Sequence, residues 1–312
     1  MNDIRHPLVS IVTPTFNRSR FIDRLVKNVL AQTYQDFELV LVDDGSTDNT
    51  RELVDRWIKE NPGRIQYVYQ PNQGSGAARN NGIKQAKGKY IAFLDSDDEW
   101  TPDYLDKIMT VLEKGEFQWT VTGARRIDIG KDGRELDTKL IRCHLQEFSH
   151  FFKRELNVYE ALLTGNVVGE TSRIAVLKQA LLAVGGFRDH LKLSQDYELW
   201  LRLAKAGYKL FITDEPLVLY RKSVDSVTKT RLVEGLRYGF EIICEYSRDA
   251  VKLDPMYRKF YGEKLWGYAR DILHQPKRDY ILILKCMIKS LMFDFNLTRI
   301  FSSLNTNMNV SK

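Results

Sequence analysis

The chain has 312 residues, of which 43% are hydrophobic and 28% are charged. This composition excludes a disordered or fibrous protein, and the length allows one large α/β domain with an appendage. The three cysteines lie far apart without metal-ligand spacing, which predicts reduced thiols rather than a disulfide scaffold. The net charge is +6, and basic residues crowd the last quarter. A basic segment of this kind suits nucleic acid, an anionic membrane surface or a solvated helix face.

Short β-branched runs alternate with amphipathic segments in the first hundred residues. The predicted strands are residues 8–12, 37–42, 65–69 and 90–94, and the predicted helices are residues 18–30, 47–59 and 76–86. Asn17 or Ser19 is expected to cap the first helix, and Thr47 or Asp48 the second. The alternation predicts right-handed crossovers and a mostly parallel sheet covered on both faces. Ligands of such sheets bind beyond the carboxyl ends of the strands.

The alternation ends after Asp95. Residues 123–150 predict irregular or antiparallel structure with a turn at 131–134. The remaining predicted elements are helices at 157–163, 173–182 and 195–206, strands at 209–213 and 217–221, and only helices after about residue 227. This order predicts a first domain of residues 1–225 and a helical region of residues 226–312.

A dense acidic motif follows the fourth predicted strand. Asp95, Asp97 and Asp98 occur within four residues, and their mutual repulsion costs stability unless a cation compensates it. Asp95 and Asp97 can approach one hard divalent ion that also binds two phosphate oxygens. An acidic turn that caps the next helix, which Thr101 and Pro102 begin well, explains the same residues without a metal.

Two further motifs follow strands and carry little information alone. Residues 43–48 read Asp-Asp-Gly-Ser-Thr-Asp, which is also a common turn sequence. Residues 72–82 supply glycines that let backbone approach a ligand, followed by Arg79 in the first turn of a helix, where it suits a phosphate or ribose. No Gly-Lys-Ser/Thr follows, so this segment is not a P-loop.

The motifs taken together resemble family 2 glycosyltransferases with the GT-A fold, over residues 8–225. The matching blocks are residues 9–18 (VSIVTPTFNR), 32–34 (QTY), 43–48 (DDGSTD), 72–83 with Asn72, Gly74 and ARNNGI, 88–98 (GKYIAFLDSDD), and 185–187 (GGF) with 195–202 (QDYELWLR). This many blocks in one order are highly specific. The resemblance implies an inverting enzyme that uses a nucleotide diphosphate sugar and Mn²⁺ or Mg²⁺.

The resemblance also implies roles for individual residues. The nucleotide pocket would be lined by Thr13, Pro14, Thr15, Asn17 and Arg18. Asp43 or Asp44 would recognise the uracil ring, and Arg79 would contact the nucleotide. Asp95 would face the ribose and sugar while Asp97 binds the metal, and Asp196 would be the catalytic base.

Two positions depart from the family pattern. The family usually has Glu-Asp where this chain has Gln195-Asp196, and losing that neighbouring charge should ease ionisation of Asp196. Many relatives follow the Tyr-Arg pair with a metal-binding histidine, whereas Tyr220-Arg221 is followed here by Lys222. The third protein ligand of the metal is therefore open, and Lys222 is a candidate phosphate contact instead.

Two tryptophans and the C-terminal helices have more than one interpretation. Trp200 is spaced for the core, and Trp100 either borders the donor sugar or packs beneath the loop. Donor choice is expected to depend on the loops around Trp100 and residues 165–172. In residues 280–293, Lys285 and Lys289 interrupt an apolar run. Such a helix packs on the main domain, mediates a homodimer, or lies in a membrane interface.

We therefore expect a UDP-sugar-dependent glycosyltransferase of cell-surface polysaccharide or glycoconjugate synthesis, acting on a saccharide or lipid-linked saccharide. No signal peptide or span of ~18 uncharged apolar residues occurs, which predicts a cytoplasmic protein, with or without peripheral contact to the inner membrane, and no nucleic-acid partner. One alternative is a catalytically degenerate nucleotide-sugar-binding subunit. The other is a sugar-nucleotide pyrophosphorylase, which requires a glycine-rich loop with lysine or arginine where this chain has residues 14–17.

Overall fold

The computed structural model describes residues 7–129, 135–223, 231–276 and 278–294. The chain divides into two compact units. The first comprises Met1–Glu147 and Leu156–Ser226, and the second comprises Phe148–Glu155 and Val227–Lys312. The predicted domain boundary at 225/226 and the predicted turn at 131–134 lie outside the described residues.

The first unit begins with the parallel arrangement that the alternating pattern predicts. Its elements are β1 (Val9–Thr15), α1 (Ser19–Leu30), β2 (Phe37–Asp43), α2 (Thr50–Glu60), β3 (Ile65–Tyr69), α3 (Ser75–Gln85) and β4 (Tyr90–Phe93). These strands pair in parallel in the order β3-β2-β1-β4. All seven residues of β2 are buried, as expected for a parallel strand covered on both faces. The parallel core of the predicted fold is confirmed.

The second half of the sheet mixes strand directions. Its elements are β5 (Glu99–Trp100), α4 (Tyr104–Leu112), β6 (Trp119–Ile129), β7 (Glu135–Ile141), β8 (Ile174–Leu177) and β9 (Leu210–Ser223). The sheet continues from β4 in the order β8-β6-β9-β5, with β7 paired to β6. Strand β6 runs parallel to β9 and antiparallel to β7 and β8. The two strands predicted at 209–213 and 217–221 are one strand, because β6 pairs along both segments.

Three further helices and one short 3₁₀ turn complete this unit. They are α6 (Val158–Thr164), the 3₁₀ turn Thr171–Arg173, α7 (Lys178–Ala183) and α8 (Gln195–Lys205), while α5 (Ser149–Phe152) belongs to the second unit. The prediction of a helix at 173–182 is wrong in its first half, because Ile174–Leu177 form β8 between β4 and β6. This segment is short, apolar and buried, and such runs have the same pattern in strands and helices.

The core settles the interpretation of the two tryptophans. Trp200 is fully buried and stacks on Trp119 with ring centroids 5.7 Å apart. Trp100 is 1% exposed, stacks on Tyr104, and donates its indole N–H to the Ser172 backbone oxygen at 2.8 Å. Both side chains therefore pack in the core of the first unit.

The second unit is helical throughout its described residues. It contains α5 (Ser149–Phe152), α9 (Leu232–Leu253), α10 (Met256–Leu273) and α11 (Tyr280–Phe293). Helix α11 packs through Leu282, Ile283 and Cys286 into a cluster that includes Ala269 and Ile272. Asp279 caps it by accepting a hydrogen bond from the Leu282 N–H. None of the helices in the described ranges combines the length and apolar character needed to cross a membrane.

Candidate active site

Strand β1 contains the first group of predicted nucleotide-binding residues. Thr13, Pro14 and Thr15 lie within β1 and not in a loop after it, because pairing with β2 continues to Thr15. The side chains of Thr13 and Thr15 are buried, and neither hydroxyl has a hydrogen-bond partner in the described part of the chain. Buried polar groups without partners are uncommon in folded proteins. These two hydroxyls are therefore unsatisfied within the described part of the chain.

Asn17 and Arg18 follow β1 but do not cap α1 with a side chain. Asn17 has a left-handed backbone (φ 51°), and its side-chain oxygen accepts the Thr47 N–H at 2.8 Å. The expected cap by Asn17 or Ser19 is therefore wrong. Instead, Asp48 accepts the Ser19 N–H at 3.0 Å and the Thr50 hydroxyl at 2.6 Å. Asp48 thus joins the starts of α1 and α2, and the loops after β1 and β2 form one surface.

Asp43 and Asp44 are both buried at the end of β2. Asp43 accepts hydrogen bonds from the Ser46 N–H at 2.8 Å and the Tyr67 hydroxyl at 2.6 Å. Asp44 accepts one from the Gln70 side chain at 2.7 Å and two from the backbone N–H groups of Gln73 and Gly74. Asp44 therefore fixes the glycine-rich segment before α3 against the end of β2.

Arg79 and Asp95 form the ion pair that links α3 to the acidic motif. Arg79 Nη2 lies 2.5 Å from Asp95 Oδ1, and the Arg79 side chain is 7% exposed. Arg79 Nη2 also donates to the Thr171 hydroxyl, which in turn donates to Asp95 Oδ2 at 3.3 Å. The buried Arg79 Nε–H has no partner within the described residues. Both Asp95 oxygens are thus occupied by protein, while the arginine retains one free buried donor.

Asp97 and Asp98 lie beside this pair in different environments. The Asp97 carboxylate is 37% exposed and lies 3.8 Å from Arg18 Nη2. Asp98 is buried and accepts the Ser172 hydroxyl hydrogen bond at 2.6 Å. Burial and then the Asp95 charge raise the pKa of both carboxyl groups, that of Asp98 well above its usual range. Both carboxyl groups are therefore harder to ionise than an ordinary aspartate.

The acidic motif fits a hard divalent cation bound together with a ligand. Asp97 offers an accessible carboxylate, and the Asp95 charge that raises its pKa would be offset by a cation between them. Among the residues described, no group of three or more His, Cys, Asp or Glu side chains could hold a metal ion. The Lys222 side chain, the other candidate phosphate contact, lies outside the described part of the structure.

Asp196 lies in the first turn of α8. Its carboxylate accepts the Tyr197 N–H at 2.8 Å. Burial raises the pKa of Asp196 to about 6, against the lowering effects of that hydrogen bond and of the Arg79 charge. Because Arg79 influences Asp196 electrostatically and pairs with Asp95, one arginine connects the acidic motif with α8. A carboxyl group with this pKa is ionised near neutral pH and still able to accept a proton.

Several contacts that support the site cannot be predicted from the sequence. Gln195 donates to the Ser75 hydroxyl at 2.7 Å, and a β-carbon at Gly76 would overlap the Gln195 side-chain oxygen. Ser172 accepts the Asp95 N–H and donates to Asp98, although the sequence pattern places it only in a loop. Contacts at such separations in the chain leave no local pattern, and only the glycine at position 76 indicates close packing.

The chain is similar to known glycosyltransferases in sequence. A family model described as Glycosyl transferase family 2 matches residues 10–179. TuaG of Bacillus subtilis (strain 168), whose name assigns it to teichuronic acid biosynthesis, is 30% identical over 262 residues, which is 79% of this chain and 97% of TuaG. Chondroitin synthase of Escherichia coli is 30% identical over 65% of this chain, but the alignment spans 27% of that protein.

Two solved structures share the fold at low identity. S. aureus TarS 1-349, solved with UDP-GlcNAc, has a TM-score of 0.53 at 21% identity. The alignment covers 94% of this chain and 75% of the TarS chain. The mannosyltransferase PcManGT from Pyrobaculum calidifontis, solved with GDP-Man and Mn²⁺, has a TM-score of 0.53 at 17% identity. The alignment covers 99% of this chain and 81% of the PcManGT chain. The predicted GT-A fold is confirmed. The extent of the family match and of the TuaG alignment shows that this chain belongs to glycosyl transferase family 2.

Proposed function

We propose that this glycosyltransferase is an inverting, metal-dependent enzyme that transfers a sugar from a UDP-sugar to an acceptor hydroxyl. The observation that carries the proposal is that Arg79, which pairs with Asp95 at 2.5 Å, also acts electrostatically on Asp196, whose pKa burial raises to about 6. Such a transfer requires a proton acceptor and a motif that binds the anionic diphosphate, close enough to each other to interact electrostatically.

The donor is assigned to the edge formed by β1, β2, β4 and α3. The unpartnered Nε–H of Arg79 and the unpartnered hydroxyls of Thr13 and Thr15 support contact with an anionic, polar ligand. Asp43 or Asp44 would accept the imide N–H of uracil, and Asn17 and Arg18 would border the nucleotide. Asp95 would face the ribose and sugar.

Asp97 would hold Mn²⁺ or Mg²⁺ with Asp95 and two phosphate oxygens of the donor. Asp97 is the more accessible of the two carboxylates, because Asp95 is engaged by Arg79 and Thr171. The bound ion would offset the charge that develops on the departing nucleotide diphosphate. Its presence in PcManGT is consistent with this assignment.

Asp196 would remove the proton of the acceptor hydroxyl during attack on the anomeric carbon. A hydroxyl is a poor nucleophile near neutral pH, and a carboxylate within hydrogen-bond reach raises its reactivity. Attack from the face opposite the diphosphate forms the new glycosidic bond while the bond to the diphosphate breaks, which inverts the anomeric configuration. The proton remains on Asp196 until solvent removes it.

The acceptor is proposed to be a saccharide or lipid-linked saccharide of a cell-surface polysaccharide or glycoconjugate. The names of TuaG and the chondroitin synthases support this class of product. Residues 1–225 would supply donor binding and catalysis.

A donor screen tests the proposal. The full chain would be incubated with manganese and each of several UDP- and GDP-sugars, and release of the nucleoside diphosphate would be measured. We expect release from a UDP-sugar, and a product whose anomeric proton coupling shows inversion. Retention of configuration would contradict the mechanism. Binding of a donor without release of its nucleoside diphosphate, whichever donor and acceptor are supplied, would instead favour a degenerate binding subunit.

A further inference from the structure

The outer face of α11 is apolar and uncovered within the described residues. Its five large apolar side chains Tyr280, Ile281, Leu284, Ile288 and Met292 are each more than half exposed. Four of these lie four residues apart and therefore form one stripe along the helix. The opposite face, with Leu282, Ile283 and Cys286, is the one that packs on the helical unit. Packing therefore explains one side of α11 and leaves the other unexplained.

The exposed apolar residues are concentrated in this unit. Of the twelve large hydrophobic side chains that are exposed in the described residues, eight lie in the helical unit and five on α11. Single exposed apolar residues are normal, but a contiguous row is typical of an interaction surface. We call the row of Tyr280, Ile281, Leu284, Ile288 and Met292 the α11 stripe.

Basic residues border the α11 stripe on one side. Lys285 and Lys289 follow Leu284 and Ile288 and stand four residues apart, so they extend along the same edge of the helix. Lys289 and Met292 also line a cavity of about 550 Å³ together with Arg248, Lys252 and Arg258. Neither Lys285 nor these four basic groups form an ion pair with a carboxylate of the described residues, although Glu245 also lines the cavity.

The charge of the whole chain is located in the same region. Residues 1–226 contain 32 lysines and arginines and 32 aspartates and glutamates, whereas residues 227–312 contain 15 and 9. The C-terminal segment therefore accounts for the entire net charge of +6. The partner of this surface is thus expected to carry negative charge.

We propose that the α11 stripe and its basic border dock on the surface of an anionic phospholipid bilayer. An apolar helix face inserts at the level of the headgroups, while lysines on its edge extend toward the phosphates. The cavity lined by Arg248, Lys252, Arg258 and Lys289 would take an anionic headgroup next to the inserted side chains. A second copy of the same surface is disfavoured as the partner, because its basic border would meet like charges.

Co-sedimentation of the full chain with vesicles tests the docking surface. The probes are phosphatidylcholine vesicles and vesicles of phosphatidylcholine mixed with phosphatidylglycerol. We expect binding to the anionic vesicles only, and weaker binding as salt screens the charges. Lys285→Gln with Lys289→Gln should lower the partition coefficient about 30-fold, because each basic residue near such a surface contributes about 1 kcal/mol.

Two other variants separate the apolar contribution from general charge effects. Ile281→Ser with Leu284→Ser and Ile288→Ser should abolish binding without lowering the thermal midpoint, because these side chains are exposed. Lys59→Gln with Lys84→Gln, which removes two exposed lysines from the other unit, should bind like the unaltered chain.

Three results would overturn the proposal. The first is full-length protein that stays in the supernatant with anionic vesicles at low salt. The second is equal loss of binding in the Lys59/Lys84 control, which would indicate attraction by net charge alone. The third is a dimer in solution that the triple serine variant converts to a monomer, which would show that a second copy covers the stripe.

Discussion

At the scale of single residues, Asp196 has the properties of a general base. Its carboxylate is held by the Tyr197 N–H, and burial raises its pKa to about 6. Asp196→Asn preserves the size of the side chain but cannot accept a proton. Transfer should therefore fall by about 10²–10⁴-fold, measured as turnover with saturating donor, while UDP affinity changes little. A variant that keeps more than half of the turnover would exclude Asp196 as the base.

The pH dependence supplies an independent readout of the same residue. In the proposed mechanism the ionised carboxylate accepts the proton, so turnover should fall as pH decreases through about 6, and this limb should be absent in Asp196→Asn. Burial raises the pKa of Asp196 in the folded state from its ordinary value of 3.8 to about 6. The ionised carboxylate therefore lowers the stability of the folded state at pH values above about 6. The variant should therefore be as stable as the unaltered protein at pH 7, or more stable, which a thermal melt measures.

Sequence reasoning identified the carboxylates but not how the protein holds them. Asp95, Asp97 and Asp196 stand in motifs whose spacing is visible in the chain. Their partners Thr171 and Ser172 are more than seventy residues from Asp95. A hydroxyl that binds across such a distance resembles any other serine or threonine in the sequence, so only the folded chain reveals it.

At the scale of elements, a buried charge cluster fixes the orientation of α8. Glu198 is fully buried and pairs with Arg202 at 2.7 Å and with Arg188 at 3.1 Å. Arg202 also donates to the backbone oxygens of Val184 and Gly186. The cluster therefore ties α8 to the turn that precedes it, and with it the position of Asp196.

Removing the charge of Glu198 should consequently destabilise the fold. Glu198→Gln leaves two arginines without their shared carboxylate, and breaking a buried pair in this way costs about 3 kcal/mol. Denaturant unfolding measures the loss. Asp55→Asn is the matched control, because it breaks the exposed Arg51–Asp55 pair on α2 and should cost less than about 0.5 kcal/mol. Equal losses of unfolding free energy in the two variants would show that the buried Glu198 cluster contributes no more to stability than an exposed ion pair.

Helices and strands were predicted correctly where their apolar residues recur with a clear period. Strands β1 to β4 are apolar runs separated by amphipathic helices, and the periodicity of each is clear. Strand β8 was missed because Ile174–Leu177 is a short apolar run that leads directly into α7, and such a run has the same pattern in a strand and in a helix. Asp48, one of the two residues predicted to cap α2, accepts hydrogen bonds from the Thr50 N–H and hydroxyl at the start of that helix. The start of α1 could not be assigned, because its Ser19 N–H also bonds to Asp48, an arrangement that only the folded loops create.

At the scale of the whole molecule, the parallel half of the sheet could be predicted and the mixed half could not. Consecutive strands linked by crossover helices dictate the order β3-β2-β1-β4. In the other half, β6 lies between β8 and β9, which come much later in the chain. Such pairings depend on long-range contacts, for which the sequence offers family resemblance but no local rule. The helical unit was predicted as helical, whereas its exposed stripe required knowledge of which face packs.

Ligand-dependent stability tests the donor site on the intact molecule. A ligand that binds only the folded state stabilises it by about 2.7 kcal/mol at a concentration of 100 Kd. UDP with manganese should therefore raise the thermal midpoint, and UDP with a chelator should raise it much less, because Asp95 and Asp97 repel the phosphates without a cation. Asp97→Asn should remove most of the manganese-dependent increase while leaving the midpoint of the free protein nearly unchanged. An equal increase from UDP in chelator and in manganese would show that the acidic motif does not bind donor through a metal.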